Sequence, residues 1–411
     1  MSKGHIVFVE TNSTGHGIRA IRTARKIGYQ VTFMTMDPEF YRDGDEDALS
    51  EVDRLVITDT YSVSEMLNHV DRELTRGVVA FDDYHLLPAS ELASRLRVPH
   101  PDLEGLRNAR FKDRLRLELA SWGERRPKFA VLAMDDERND SPVGYPCVVK
   151  PVDDSGSVGV RICRGREEYR WALQFLQTRG FNIRGYRPEK RWLVEEYVEG
   201  VEYSAEVLWV DGGWKILGVT KKMVTNPPYC VELGHVFPAW PGDVEQSFLE
   251  EKVLSWMRAA KMKWGAAHVE FKLTEDGPVL IEINPRLGGD LIPELCSLAC
   301  GFDVVEYFLR ISAGEKFCVR ELLSRKPRKA YAIRFLCPDR NGGVVERVKG
   351  TDVLDRLAGV VDWRITAFPI EVHRLRSSYD RLGYVIAEGR DAVEAKSAAE
   401  EALSKLSLVW R

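Results

Sequence analysis

His268-Val269-Glu270-Phe271-Lys272-Leu273-Thr274-Glu275-Asp276-Gly277-Pro278-Val279-Leu280-Ile281-Glu282-Ile283-Asn284-Pro285-Arg286 is the stretch whose reading decides the fold. Two β-type runs flank a turn, Thr274 to Gly277, and together they predict a hairpin. Side chains alternate faces along a strand, so Glu282 and Asn284 point the same way. If Leu273 pairs with Val279, Glu270 lies opposite Glu282. Two carboxylates and an amide oxygen then converge beside the guanidinium of Arg286. Unpaired carboxylates are costly in a dry core, whereas a hard cation such as magnesium takes oxygen ligands and keeps room for phosphate oxygens. The hairpin therefore reads as a metal–phosphate site with Glu270, Glu282 and Asn284 as candidate ligands.

Upstream, Val148-Val149-Lys150-Pro151-Val152-Asp153-Asp154-Ser155-Gly156-Ser157-Val158-Gly159-Val160 delivers a lysine at the end of a strand and then a Gly/Ser loop. Small residues let backbone N–H groups wrap phosphate oxygens while the lysine supplies a point charge. The P-loop pattern is excluded, because the lysine precedes the glycines. Alone, the segment fits an ordinary hairpin equally well; beside the metal hairpin, phosphate contact by Lys150, Ser155, Gly156, Ser157 and Gly159 is the better reading. A third element, Trp192-Leu193-Val194-Glu195-Glu196-Tyr197-Val198-Glu199-Gly200-Val201-Glu202, joins two strands through an acidic turn. Backbone at such a junction can bond a purine edge, and a carboxylate can accept from ribose hydroxyls. Taken by itself, the junction is better read as a solvated acidic turn.

Outward from these elements, the first hundred residues alternate strands (His5 to Glu10, Gln30 to Met36, Leu55 to Thr58, Val78 to Phe81) with helical stretches such as Gly17 to Gly28, which predicts a parallel sheet covered by helices. A charged helix at Phe111 to Trp122 follows. The strands Lys128 to Ala133, Pro146 to Lys150 and Val158 to Cys163 lead to a helix at Glu167 to Gln177. Strands at Arg191 to Tyr197, Tyr203 to Trp209, Trp214 to Thr220 and Ala266 to Lys272 predict a large antiparallel sheet. The tail after about Gly314 has its own β content and ends in a helix, Ala392 to Leu406. A formal net charge of −4 argues against nucleic acid or an anionic membrane as partner. The basic runs Arg184 to Lys190 and Arg325 to Lys329 are expected to be solvated loops. No apolar run reaches spanning length and no secretory leader is evident. Seven scattered cysteines without C-x-x-C pairs fit a reduced, cytoplasmic protein.

The three elements, in this order, resemble the ATP-grasp superfamily of carboxylate–amine ligases. The resemblance covers roughly residues 1 to 410 and is most specific from Lys112 to Arg286. It implies an α/β plus α+β architecture: a Rossmann-like N-terminal domain (1–107), a two-lobed ATP-grasp core (108–315, lobes 108–190 and 191–315) and a small C-terminal β-rich domain (316–411). It also implies that Lys112, in Arg110-Phe111-Lys112-Asp113, and Lys150 contact ATP phosphates, and that Asp154 to Gly159 is a mobile flap. Glu195, Glu196, Tyr197 and Val198 would read adenine and Glu202 the ribose. Glu270, Glu282 and Asn284 would hold magnesium, with manganese as an alternative, and Arg286 would steady the transferring phosphoryl or acyl phosphate. Within the superfamily the chain is most similar to bacterial L-amino acid ligases, through Val231-Glu232-Leu233-Gly234-His235-Val236-Phe237-Pro238-Ala239, Asn284-Pro285-Arg286-Leu287-Gly288-Gly289-Asp290 and Arg381-Leu382-Gly383-Tyr384-Val385. Related formyl-type and biotin-dependent ligases share parts of these motifs, but no biotin attachment motif is present. A homodimer acting on small-molecule carboxylate and amine substrates is implied.

Such a ligase activates a carboxylate as an acyl phosphate, lets an amine attack it and releases ADP and phosphate. Glu232 and His235, beside the Pro-rich segment Asn226-Pro227-Pro228-Tyr229, are candidates for the acceptor side of the pocket on an ordered loop, or else polar caps on a helix or strand edge. Gly288 and Gly289 are placed with Arg286 at the substrate. Asp290 either binds a substrate ammonium or caps the helix that begins near Ile292. Of Lys221 and Lys222, at least one is expected to face solvent. Tyr229, Phe237 and Trp240 admit a hydrophobic amino acid as substrate. A competing reading comes from Gly15-His16-Gly17-Ile18-Arg19-Ala20, which fits G-x-G-x-x-A with Asp37 about 20 residues on. It is set aside because Thr11 to Thr14 intervene between the strand and the first glycine. A nucleotide-binding protein without ligase activity is the third reading; the complete set Glu270, Glu282, Asn284 counts against it.

Overall fold

In this computed structural model the described residues are 2–12, 16–41, 48–134, 136, 138–182, 184–225, 231–316 and 327–411. Gly15 of the G-x-G-x-x-A match, the segment Asn226 to Tyr229 and Arg325 lie outside them. The N-terminal strands β1 (His5–Val9), β2 (Gln30–Thr35), β3 (Arg54–Ile57) and β4 (Thr75–Val79) form a parallel sheet in the order β3-β2-β1-β4. Helices α1 (His16–Lys26), α2 (Val63–Leu67) and α3 (Leu86–Leu96) connect and follow them. Helix α1 buries Ala20, Ile21 and Ala24 along one stripe, and Asn12 caps it by accepting from the Gly17 N–H at 3.0 Å.

Helices α4 (Leu103–Arg110) and α5 (Lys112–Ser121) lead into the small lobe, where β5 (Phe129–Ala133), β6 (Cys147–Pro151), β7 (Arg161–Cys163) and β8 (Arg191–Glu196) form an antiparallel sheet ordered β5-β8-β6-β7. Helix α6 (Arg166–Gln177) packs on it through Tyr169, Ala172, Leu173 and Leu176. Two expectations shift here. The strand expected over Val158 to Cys163 is confined to β7, because Ser155 to Val160 turn twice through Val158 N–H to Ser155 O and Val160 N–H to Ser157 O. And β8 pairs with β5 and β6, so the break between the lobes falls after Glu196 rather than at 190/191.

The large sheet is antiparallel throughout, in the order β13-β12-β9-β10-β11-β14-β18-β16. Its strands are β9 (Val201–Val210), β10 (Gly213–Val224), β11 (Glu232–Phe237), β12 (Ala266–Thr274), β13 (Gly277–Asn284), β14 (Ala330–Leu336), β16 (Val360–Ile365) and β18 (Gly383–Gly389). Helices α7 (Gln246–Ala259), α8 (Ile292–Cys300), α9 (Val304–Ser312) and α10 (Ala392–Ser404) complete the helices described. The tail is divided rather than separate: β14, β18 and β16 extend the large sheet, while β15 (Gly343–Lys349), β17 (Ile370–Val372) and β19 (Ser407–Trp410) form a three-stranded sheet. The chain thus ends in a strand, not in the expected helix.

One apolar core fuses the N-terminal sheet to the large sheet. Ile6, Phe8, Val31 and Phe33 pack with Leu295, Val305, Leu309 and Ile333, which sets the C-terminal ends of β1 and β4 over the cleft between the lobes. The basic segment after α6 closes the third side. Arg184 is buried, not solvated: it donates to Tyr41 Oη (2.6 Å), pairs with Glu10 (3.3 Å) and Asp82 (3.2 Å) and lies over the Phe40 ring. Burial makes that partnership obligatory, since a guanidinium cannot stay dry and unpaired.

Gly77 shows how tightly the units dock. A Cβ there would stand 2.5 Å from the Ser312 carbonyl oxygen, backbone against backbone. Gly77→Ala is expected to cost about 1–3 kcal/mol by overpacking, read as a lower urea midpoint with an unchanged slope.

Candidate active site

The β12–β13 hairpin forms the floor of a cavity of about 710 Å³ between the lobes. Its register near the turn is one residue off the sequence expectation, with Lys272 opposite Val279 and Leu273 opposite Pro278. A β-bulge between Phe271 and Glu270 leaves Ile281 unpaired and restores Glu270 opposite Glu282. The three expected metal ligands do converge. Asn284 Nδ2 lies 3.1 Å from Glu270 Oε1 and 3.1 Å from Glu282 Oε1. Glu270 also accepts from Lys222 Nζ (2.6 Å) and faces His268 Nε2 (3.2 Å), while Glu282 faces Lys112 Nζ (3.2 Å).

Burial tends to raise the Glu270 pKa, but Lys222 and His268 overcome it and hold the carboxylate well below its ordinary range. Burial likewise disfavours the charged form of His268, and Glu206 and Glu270 reverse this, bringing its pKa to about 9. Lys222 completes the group at 3.4 Å from Glu202 and 3.7 Å from Glu232. Of the two adjacent lysines, then, Lys222 faces the site and Lys221 is exposed. Among the described residues no group of three or more His, Cys, Asp or Glu side chains is arranged as a metal cage. The donor set fits a divalent ion for another reason. Among the described residues Glu202, Glu206, Glu232, Glu270 and Glu282 share Lys112, Lys222 and His268, and the nearby Arg286 and Arg381 are paired with Asp83 and Asp290, so surplus negative charge remains at oxygen donors suited to magnesium.

Lys150 and Lys112 enter from the small lobe. Lys150 is buried and paired with Glu195, which also accepts from Arg116 Nε at 2.9 Å. The Glu195 side chain is therefore the counter-ion of two cations, and the junction beyond it is bonded through its backbone. There the Glu196 and Tyr197 N–H groups are taken by Lys128 O and Pro146 O, and Val198 O accepts from Lys272 Nζ at 3.1 Å. Val148, Val160, Ile162, Val198 and Ile281 give this end of the cavity an apolar lining, with Glu202 at its edge. Lys112 donates to Asp154 O at 2.8 Å. Ser155, Gly156 and Ser157 line the cavity, and the loop is tethered by Tyr84 Oη to Asp154 (2.6 Å) and by Ser155 Oγ to Asp83.

Several expected residues stand elsewhere. Gly159 packs against Arg179, Leu176 and Pro151, and Gly288 against His268 and Glu206; neither lines the cavity, and both are close-approach positions. Glu232 and His235 lie on strand β11, not on a loop, and both reach the cavity wall. Asp290 does not cap α8, whose N-cap is Leu291. Arg381 grips Asp290 in a fork (2.8 and 2.5 Å), and His235 Nε2 stands 3.1 Å away, so both carboxylate oxygens are engaged. Burial would raise the Asp290 pKa, and Arg381 and His235 press it far below the ordinary range. Phe237 is sealed in the core and Trp240 packs beside α7, while Phe40, Phe81, Tyr84, Phe181 and Tyr379 line the cavity instead.

The expectations missed Asp83, Tyr84 and Arg116. Arg286, placed as expected at the cavity, is held by Asp83 in a two-pronged pair, Nε to Oδ1 at 2.8 Å and Nη2 to Oδ2 at 2.5 Å. A signal existed: Phe81-Asp82-Asp83-Tyr84 follows β4 at the C-terminal edge of a parallel sheet, where ligands gather in open α/β folds.

With this geometry in hand, the comparisons are specific. Residues 143–294 match the model of the ATP-grasp domain, and residues 334–411 match L-amino acid ligase C-terminal domain 2. The chain carries an ATP-grasp domain and is related to the ATP-grasp ligases. More particularly, it carries the C-terminal domain of the L-amino acid ligases, and it is related to carnosine synthases. An uncharacterized protein of Sinorhizobium fredii is 28% identical over 414 residues, covering 99% of this chain and 83% of that one. Chicken carnosine synthase 1 is 27% identical over 317 residues, 71% of this chain but only 33% of the relative's length. The L-amino acid ligase of Bacillus licheniformis superposes with a TM-score of 0.80 at 19% identity, covering 100% of both chains, which establishes the shared fold.

Glu195 supplies a test of the buried charges. Burial would raise its pKa, yet Arg116 and Lys150 hold it at about 2. A folded value below the unfolded one contributes stability above the ordinary carboxylate pKa, and that contribution is lost as pH falls toward the folded value. Glu195→Gln is expected to cost about 3–5 kcal/mol at neutral pH, because two buried cations lose their counter-ion. Urea unfolding across pH should show the gap to wild type narrowing below about pH 4.

Proposed function

We propose that this ligase phosphorylates a carboxylic acid with ATP to give an acyl phosphate, which an amine then attacks to form an amide, with an amino acid as at least one substrate. The observation that carries the reading is Arg286: its guanidinium already holds a carboxylate, Asp83, in the cavity that Glu270, Glu282 and both lysines line. A free carboxylate resists amines because its carbonyl is electron-rich and its leaving group poor; phosphorylation removes both obstacles. Protein assistance in phosphoryl transfer is mainly positioning and charge neutralisation, and Lys112, Lys150 and Arg286 are placed to supply it. Glu270, Glu282 and Asn284 would hold magnesium, which neutralises phosphate charge when bound. The tethers from Tyr84 and Asp83 to the flap are suited to excluding water from a reactive acyl phosphate. Glu232, which accepts from Ser378 Oγ at 3.1 Å, is the candidate proton acceptor on the amine side, with His235 behind it.

Incubation with ATP, magnesium, pooled L-amino acids and small carboxylic acids should release ADP and phosphate only when both an acid and an amine are present. Mass spectrometry should find a product equal to their sum less water. Release with no new amide from any pool would overturn the reading. Arg286→Ala is expected to lower acid-dependent release roughly 10²- to 10³-fold while ATP still binds, as followed by calorimetry.

A further inference from the structure

The pairing that supports the ligase reading also poses a problem for it. Arg286 cannot serve an incoming carboxylate at full strength while Asp83 occupies its Nε and Nη2 edge, and two carboxylates sharing one guanidinium repel each other. Asp83 then keeps only the Ser155 Oγ donor and the charge of Arg110 nearby, and at 6% exposure a carboxylate that has lost its paired cation is strongly disfavoured until another is bound. The other acidic groups on this wall are committed. Asp82 is held by His85 Nδ1 (2.9 Å), by the Tyr84 and His85 N–H groups and by Arg184. Asp290 is held by Arg381 and His235, and Asp154 by Tyr84. Asp83 differs from them: its backbone is fixed by Arg110 Nε donating to its carbonyl at 2.8 Å, while its side chain rests on a group the acid substrate needs.

We propose that Asp83 is the receptor for the ammonium group of the amine substrate, parked on Arg286 until the acid's carboxylate displaces it. This rests on the ligase reading of the same cavity. The amine is the one cation that the reaction itself brings to this wall, and Asn12, Phe81 and Tyr84 flank the place it would take. The exchange makes binding ordered: the acid substrate frees Asp83, and only then is the amine's counter-ion available. It also selects amines that arrive protonated, as amino acids do, over neutral nucleophiles.

The test compares two nucleophiles on the full-length Asp83→Asn protein, with the acid identified above and ATP-magnesium. One nucleophile is the amino acid that the wild type accepts; the other is hydroxylamine, which is uncharged near neutral pH and needs no ammonium receptor. The expected result is a roughly 10- to 100-fold fall in kcat/KM for the amino acid, carried mainly by KM, and at least roughly tenfold larger than any fall in hydroxamate formation. Asp83→Glu, which keeps the charge, should recover part of the amino-acid activity. Equal loss with both nucleophiles would overturn the proposal and make Asp83 a prop for Arg286, and so would unchanged amino-acid kinetics. Hydroxamate formation shows that the variant is folded and able to activate the acid. If the wild type makes no hydroxamate from any acid, the ligase reading itself falls, and the proposal with it.

Discussion

The buried guanidinium of Arg116 is the constraint on which the rest of the site depends. Fully enclosed, it donates to Glu195 of the small lobe at 2.9 Å and to the carbonyl of Ile281 at 2.7 Å. Ile281 is the extra residue of the β12–β13 bulge. One side chain on α5 thus fixes the carboxylate that orients Lys150 and also the irregularity that sets Glu270 opposite Glu282. A buried ion pair adds little net stability, because desolvation consumes most of its Coulombic gain, yet removing one partner is severe. Its contribution here is geometric: it ties Lys150 of the small lobe to the carboxylates of the hairpin.

The cleft is organised by charge that is nearly balanced but not closed. Each cation on its floor has at least one carboxylate: Lys150 has Glu195, Lys112 has Glu282, and His268 lies between Glu206 and Glu270. Lys222 is shared by Glu202, Glu232 and Glu270. Carboxylates remain in excess around the hairpin, whereas the acceptor wall carries Arg286 and Arg381 against Asp83 and Asp290. A cation at the floor is therefore what the arrangement accepts with least rearrangement, whereas an anion at the wall must first displace Asp83 from Arg286.

The sequence was most legible where side-chain type and spacing meet a strict period. Glu270, Glu282 and Asn284 were readable because the strand period of two fixes their faces, and the bulge rescued a register that simple pairing would have misjudged. Lys150 and the Gly/Ser loop were legible only beside the β12–β13 hairpin, since by itself the segment fits an ordinary β-hairpin equally well. Long-range partnerships were not. No local pattern says that Glu195 answers to Arg116, 79 residues earlier in the chain, or that Asp290 is consumed by Arg381. His235 was assigned to a loop because its neighbouring prolines obscured the alternation that marks β11. Arg184 was taken for solvated because a basic segment looks the same in sequence whether it meets water or, as here, the oxygen atoms of Glu10, Thr11, Tyr41 and Asp82.

That last case bears on what the N-terminal domain is for. A covering scaffold would need only apolar contact, and the shared core of Ile6, Phe8, Leu295 and Leu309 already provides it. Yet the ends of β1 and β4 also send Glu10, Asp82, Asp83 and Tyr84 across to the small lobe, the flap and the floor. Arg184 meets Glu10 and Asp82 together, while Asp83 meets Ser155 and Arg286 together, so one short turn joins the Ser155 loop to the Arg286 wall. Apolar packing fixes where the domain sits, and these polar contacts tie its edge to both lobes. A fold that placed the same strands but lacked the Asp82-Asp83-Tyr84 turn would keep the apolar core and lose the contacts that join the Ser155 loop to Arg286.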